Sequence, residues 1–305
     1  MPACLTHFQF ARRVAETLPE GAITSQPDYF WGAQGPDFLF AHRYLPWMKN
    51  AYLKPYGNRL HEADPVRVLA AAADFLDRHP DPAYRSYVYG LACHYALDST
   101  AHPFIQARAE ELAARRPAQN RSTMHGEIES ALDAIILRRE TGKLPSEVSL
   151  GKCYPKNEAT QRRIAKLYRD LIFQVLGEDV SEKDLFQATR DAHFIFSLMT
   201  DRTGLKLRLM ETLEKGKPHW VSSHLVPITE DGDEDYVNLA HDAWNWKGIS
   251  GDQDFFELFD EAKDLAGALI AALEAGDRQQ AAALTRGRTF SGETVGEENP
   301  EEMKK

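Results

Sequence analysis

The stretch that decides the fold reads Asp81-Pro82-Ala83-Tyr84-Arg85-Ser86-Tyr87-Val88-Tyr89-Gly90-Leu91-Ala92-Cys93-His94-Tyr95-Ala96-Leu97-Asp98-Ser99-Thr100-Ala101-His102-Pro103. An acidic N-cap followed by proline at the first helical position opens a helix, because the carboxylate accepts from free backbone N–H groups and the proline ring fixes a helical φ. Tyr84, Tyr87, Val88, Leu91 and Tyr95 then recur at the spacing of one packed helical face. The pattern predicts a helix over 82–100 that Pro103 ends.

Working outward, Asp64-Pro65 repeats the start signal for a helix over 65–78. Ile164, Leu167, Tyr168, Leu171, Ile172, Val175 and Leu176 keep helical period, and Ser181 with Asp184 caps a helix over 182–200. Phe255, Leu258, Phe259, Ala262, Leu265, Ala266, Leu269 and Ile270 predict a late helix, and no alternating strand competes. The expected fold class is all-α, a multi-helix bundle. A turn-rich stretch at 140–157 divides an expected metal-binding region, 1–140, from a C-terminal helical region, 141–286, that completes the same bundle. The polar residues 287–305 are expected to form a disordered tail.

The chain has 305 residues, 43% hydrophobic and 27% charged, the balance of a globular protein rather than a fibrous or disordered one. No apolar run approaches the ~18 residues of a membrane span, the longest being Leu265 to Leu273. Thr6, His7, Gln9, Arg12 and Arg13 interrupt the N-terminus where a secretory signal needs an apolar stretch. Three widely spaced cysteines suit a reducing compartment, so the expected location is the cytoplasm. The net charge of −10 disfavours nucleic acid as a partner.

The chemistry lies in the first 130 residues. His94 and Asp98 stand four apart on the helix just described, so both side chains project from one face and can grip one metal ion. His125 and Glu129 repeat the spacing. With 11 histidines and 46 acids in 305 residues, chance supplies about two such pairs, but the run His94-x3-Asp98-x3-His102 only about 0.06 times. That run is the informative one.

The segment His94 to Pro103 resembles the signature of the bacterial zinc-dependent phospholipase C family, an all-helical fold shared in outline with the zinc-dependent single-strand nucleases. His125-Gly126-Glu127-Ile128-Glu129 is similar to its next motif, and Thr6-His7, Gly35-Pro36-Asp37 and Leu60-His61 fall in the family's order. The resemblance implies one zinc on Asp37, His61, His94 and Asp98, and a second on His102, His125 and Glu129, nitrogen and oxygen sets suited to Zn²⁺. It implies a third on His7 and Asp98, completed by the amine and carbonyl of an N-terminal tryptophan. This chain departs there: no tryptophan starts it, and the terminal amine, on Met1 or Pro2, lies at least five residues from His7.

Several residues keep two readings. His42 competes with His61, since both follow Asp37, and only the family's order selects His61. His7 reads equally as a core histidine, and Gly35-Pro36-Asp37 reads alone as a turn. Phe38, Phe40, Tyr44, Trp47 and Tyr52 either form core or offer an apolar approach for lipid.

The leading functional reading is a zinc-dependent hydrolase, phospholipase C-like, that cleaves a small or lipid phosphodiester by attack of a metal-activated water, with Asp37 or Asp98 orienting or deprotonating that water. The alternatives are a non-enzymatic, metal-stabilised helical domain and a different helical metal phosphohydrolase centred on His241-Asp242.

Overall fold

A computed structural model describes residues 3–45, 47–228 and 234–296. Its helices are α1 (Cys4–Ala15), α2 (Gln26–Ala33), α3 (Lys54–Glu62), α4 (Pro65–Arg78), α5 (Pro82–Arg115), α6 (Arg121–Thr141), α7 (Glu158–Leu176), α8 (Glu182–Met199), α9 (Leu205–Leu213), α10 (Phe255–Glu274) and α11 (Arg278–Thr285). The all-α class holds. None of these helices is long and apolar enough to cross a membrane.

Helix α5 is the axis of the bundle. Asp81 accepts from the Ala83 amide at its start, as the sequence predicts. It does not end at Pro103, however. It runs 34 residues, about 50 Å at the usual helical rise, with Pro103 inside. An internal proline costs about 3 kcal/mol. Phe104, Ile105, Ala109 and Leu112, all buried beyond it, offset that cost by giving the last turns an apolar face against neighbouring elements.

Helix α2 lies so close to α5 that a Cβ on Gly32 would sit 2.0 Å from the Tyr87 carbonyl oxygen, and one on Gly90 would sit 2.1 Å from that of Tyr29. Two glycines therefore set the distance between these backbones. Asp28 of α2, fully buried, takes a two-pronged ion pair from Arg163 at 2.8 and 2.7 Å, which ties α2 to α7. Phe10 of α1 meets Phe259 of α10 edge-on at 5.0 Å, and Tyr87 donates to Tyr168 of α7. Core side chains thus come from both sides of the 140–157 stretch, which itself holds short 3-10 turns at Pro145–Glu147 and Leu150–Cys153.

Two further expectations need correction. Trp244–Trp246 (β1) and Ile249–Gly251 (β2) form a small antiparallel hairpin, too short for a periodic signal, with Trp244 and Trp246 buried. Residues 287–296, expected in the disordered tail, instead insert Phe290 into the core at 1% exposure. One aromatic side chain with a pocket outweighs a polar composition. Residues 297–305 of that tail lie outside the described residues.

Candidate metal centre

Asp98 is the hub. Helical spacing stacks His94, Asp98 and His102 on one face of α5. Asp98 Oδ2 lies 3.2 Å from His94 Nε2 and 3.7 Å from His61 Nε2, while Oδ1 lies 3.1 Å from His7 Nε2 and 3.9 Å from His102 Nε2. Each carboxylate oxygen therefore faces two imidazoles.

The other candidates arrive from separate elements. Asp37 stands in the 3-10 helix Gly35–Ala41, its Oδ1 3.2 Å from His61 Nε2. Gly35 has φ +51°, and a Cβ there would lie 2.1 Å from the His94 ring, so only glycine lets this segment close over the histidine. His61 is carried by α3, its Nδ1 donating to the Gly57 carbonyl at 2.7 Å. On α6, His125 Nε2 lies 3.1 Å from Glu129 Oε1, and His102 Nε2 lies 3.8 Å from the same oxygen. His7 enters from α1, whose first turn is capped across space by Asp133 of α6 at the Leu5 and Thr6 amides and the Thr6 hydroxyl.

The structure thus brings His7, Asp37, His61, His94, Asp98, His102, His125 and Glu129 together. Potential donor atoms lie within 4.8 Å of one another in three sets: His7, His94 and Asp98; Asp37, His61 and His94; His102, His125 and Glu129. His42 stays outside. It is buried edge-on to Tyr52, and burial pushes its pKa down. His241 and Asp242 are exposed; His241 makes a fourth such set with Asp254 and Glu257, the residues that cap α10, apart from the buried centre, and Asp242 is not in it. Met1 and Pro2, which bear on the third expected ion, lie outside the described residues.

Several contributors leave no motif. Phe290 gives its carbonyl to His102 Nδ1 at 2.9 Å and sets its ring against His61, His94 and Tyr95. With Nδ1 of His61 and His102 donating to backbone carbonyls, both rings present Nε2 to the centre, the usual way a second layer orients metal-ligating histidines. His224 packs its ring where a Cβ on Gly126 would lie, next to His125. Only the glycine beside His125 hinted at a close neighbour.

The electrostatics fit a cation. Burial raises the Asp98 pKa, but His94, His102 and His7 outweigh it and hold the carboxyl well below the usual range. Burial likewise loses at Asp37, where His61 and His94 pull the pKa down, and at Glu129, where His125 contributes most. Burial lowers His102, yet Asp98 and Glu129 lift it to about 9, while His94, dominated by burial, falls to about 4. His61 and His94 aim their Nε2 atoms at each other across 3.4 Å, and only one of the two can donate to the other. Ionised carboxylates and imidazole nitrogens converging on shared space form a donor set suited to zinc, and a bound cation would take the place of the protons that the carboxylates hold on His102.

A family model described as zinc dependent phospholipase C matches residues 6–178, more than half of the chain. Among curated proteins and among solved structures, none matches.

Proposed function

We propose, since the chain belongs to the zinc-dependent phospholipase C family, that it hydrolyses the phosphodiester bond of a phospholipid at the centre around Asp98. The observation that carries this reading is the sharing of one buried carboxylate between histidine sets on either side of it. Asp37, His61, His94 and Asp98 would hold one zinc ion and His102, His125 and Glu129 a second, with His7 supplying a ligand to any third. When bound, the zinc supplies Lewis-acid charge and activates water for attack on phosphorus.

The chain's own residues supply the rest. Asp98 and Asp37 place carboxylate oxygens where they can accept a proton from that water or fix its direction. The Gly57 and Phe290 carbonyls hold His61 and His102 in one tautomer. Phe290, and Phe40 stacked on His61 with centroids 5.7 Å apart, wall the centre against bulk water. The three cysteines, buried as free thiols, support a reducing, cytoplasmic setting.

The test measures zinc per chain together with turnover of phosphatidylcholine and of bis-p-nitrophenyl phosphate, in wild type, His94→Ala and Asp98→Asn. Both variants should lose zinc, and turnover should fall about a thousandfold, the upper range for removing one preorganised charge-stabilising group. Wild-type protein that binds zinc and cleaves neither substrate overturns the reading and leaves a metal-stabilised helical domain. Loss of metal on replacing His241 rather than His125 would move the chemistry elsewhere.

A further inference from the structure

We propose that helix α9 and the residues after it form a docking surface for an anionic phospholipid bilayer beside the metal centre. Helix α9 buries none of its nine residues. Leu205, Leu209 and Leu213 stand in one stripe, each four residues from the next, and are 64%, 58% and 61% exposed. A helix that contributes nothing to the core and still presents leucines to water lacks an ordinary structural reason for its composition.

Further exposed apolar residues stand just past the helix. Glu214 accepts from the amides of Val221 and Ser222 at 2.8 and 3.0 Å, folding the chain back so that exposed Trp220 and Val221 stand at the end of α9. Tyr44, also exposed, is close enough to Glu214 for that charge to raise its phenol pKa, after burial. Tryptophan and tyrosine at the edge of a leucine face suit the boundary between lipid chains and head groups.

This shelf is joined to the centre by short links. Ser222–His224 forms a 3-10 turn, Ser130 of α6 donates to the Ser223 carbonyl at 2.8 Å, and the His224 ring packs on Gly126 next to His125. The turn that follows the apolar face therefore packs on α6, the helix that carries His125 and Glu129.

Charge selects the occupant. In a chain of net charge −10, residues 201–217 carry five cations, Arg202, Lys206, Arg208, Lys215 and Lys217, against three acids. Of those acids Asp201 is buried and Glu214 is engaged by backbone amides, while of the cations Lys206 is engaged by the Leu198 and Thr200 carbonyls, so the balance stays basic. A basic amphipathic helix lying flat, apolar stripe inward and cations at the head groups, complements an anionic leaflet. The choice of lipid over a protein partner rests on the phospholipase reading, so the test separates binding from turnover.

The full, zinc-loaded chain is sedimented with vesicles of phosphatidylcholine alone and of phosphatidylcholine mixed with phosphatidylglycerol. Wild type should partition to the mixed vesicles. Leu209→Asp with Leu213→Asp should lower the partition coefficient by about tenfold or more, and Arg208→Glu with Lys215→Glu by about fivefold per charge on mixed vesicles only. Turnover of soluble bis-p-nitrophenyl phosphate should be unchanged in all of them. Wild type that ignores mixed vesicles, or leucine variants that bind as wild type does, overturns the proposal. So does a wild-type dimer that the leucine substitutions turn into monomer, which would assign the face to a second copy of the chain. Vesicle binding without any phosphodiester turnover would leave the surface standing and remove the hydrolase reading alone.

Discussion

Around Asp98 the chain gathers three carboxylates and five imidazoles inside the bundle, whereas along α9 it leaves Leu205, Leu209 and Leu213 in water. Each region inverts the usual partition of polar and apolar groups. They differ in what holds them. The centre is fixed from all sides, by α1, α3, α5, α6, the Gly35 segment and Phe290, so its desolvated charges meet partners in set directions. The shelf is tied by fewer links, among the described residues through Glu214 on one side and on the other through Asp201, which accepts from the Leu207 amide, and Lys206, which donates to the Leu198 and Thr200 carbonyls. Function at the centre needs precision, and function at the shelf needs only an exposed area and a charge.

Gly35→Ala should break the comparison hardest on the buried side. The new Cβ meets the His94 ring in a backbone conformation that L side chains avoid, so strain and overpacking together cost up to about 4 kcal/mol. Urea unfolding should show the loss, and zinc content should fall with it. A variant of wild-type stability that keeps its metal would mean that the 3-10 segment can retreat without disturbing the ligands.

A smaller effect tests the cap that carries His7. Burial raises the Asp133 pKa to about 6, ahead of the opposing hydrogen bonds from Thr6 and Leu5. The unfolded carboxyl titrates near 4, so between about pH 4 and 6 folding takes up a proton at this group. Its contribution to stability is therefore most favourable below that window and declines by about 3 kcal/mol as pH rises through it. Asp37, Asp98 and Glu129, held low, act in the opposite direction. The informative quantity is thus the wild-type unfolding free energy minus that of Asp133→Asn, which should fall across the window. A flat difference would show that the amides of α1 hold Asp133 ionised throughout.

The shelf supplies the smallest change. Leu209→Asp should alter the unfolding free energy by no more than about 0.5 kcal/mol, because the leucine is 58% exposed and stands outside the packed core. A loss of 2 kcal/mol or more, on the scale of a core leucine, would place α9 with the packed helices and erase the contrast.

Much of this was legible in the sequence, for identifiable reasons. Acid-proline pairs mark the starts of α4 and α5 because the cap is local, and the fourfold spacing of His94, Asp98 and His102 predicts their shared face because helix geometry is fixed. Placing Asp37, His61 and His7 beside them took the family resemblance, since no local rule brings α1 and α3 to α5. What escaped depends on contacts between distant segments. The apolar turns beyond Pro103 are stabilised by other elements, Asp133 caps a helix more than a hundred residues away, and Phe290 finds its pocket from within a polar stretch. The leucines of α9 were visible but carried no signal, because exposure is decided by the neighbours a helix lacks.

The hydrogen bond from His102 to the Phe290 carbonyl joins residues 188 positions apart, while His7 meets Asp98 from the opposite direction along the chain. During synthesis on a ribosome the candidate ligands from His7 to Glu129 emerge early, but the carbonyl that fixes the His102 tautomer emerges more than 150 residues later. A nascent chain therefore exposes a half-built centre until Phe290 has emerged. A zinc site that needs this orientation would be complete only once Phe290 has folded back, so a product truncated before Phe290 should take up zinc more weakly.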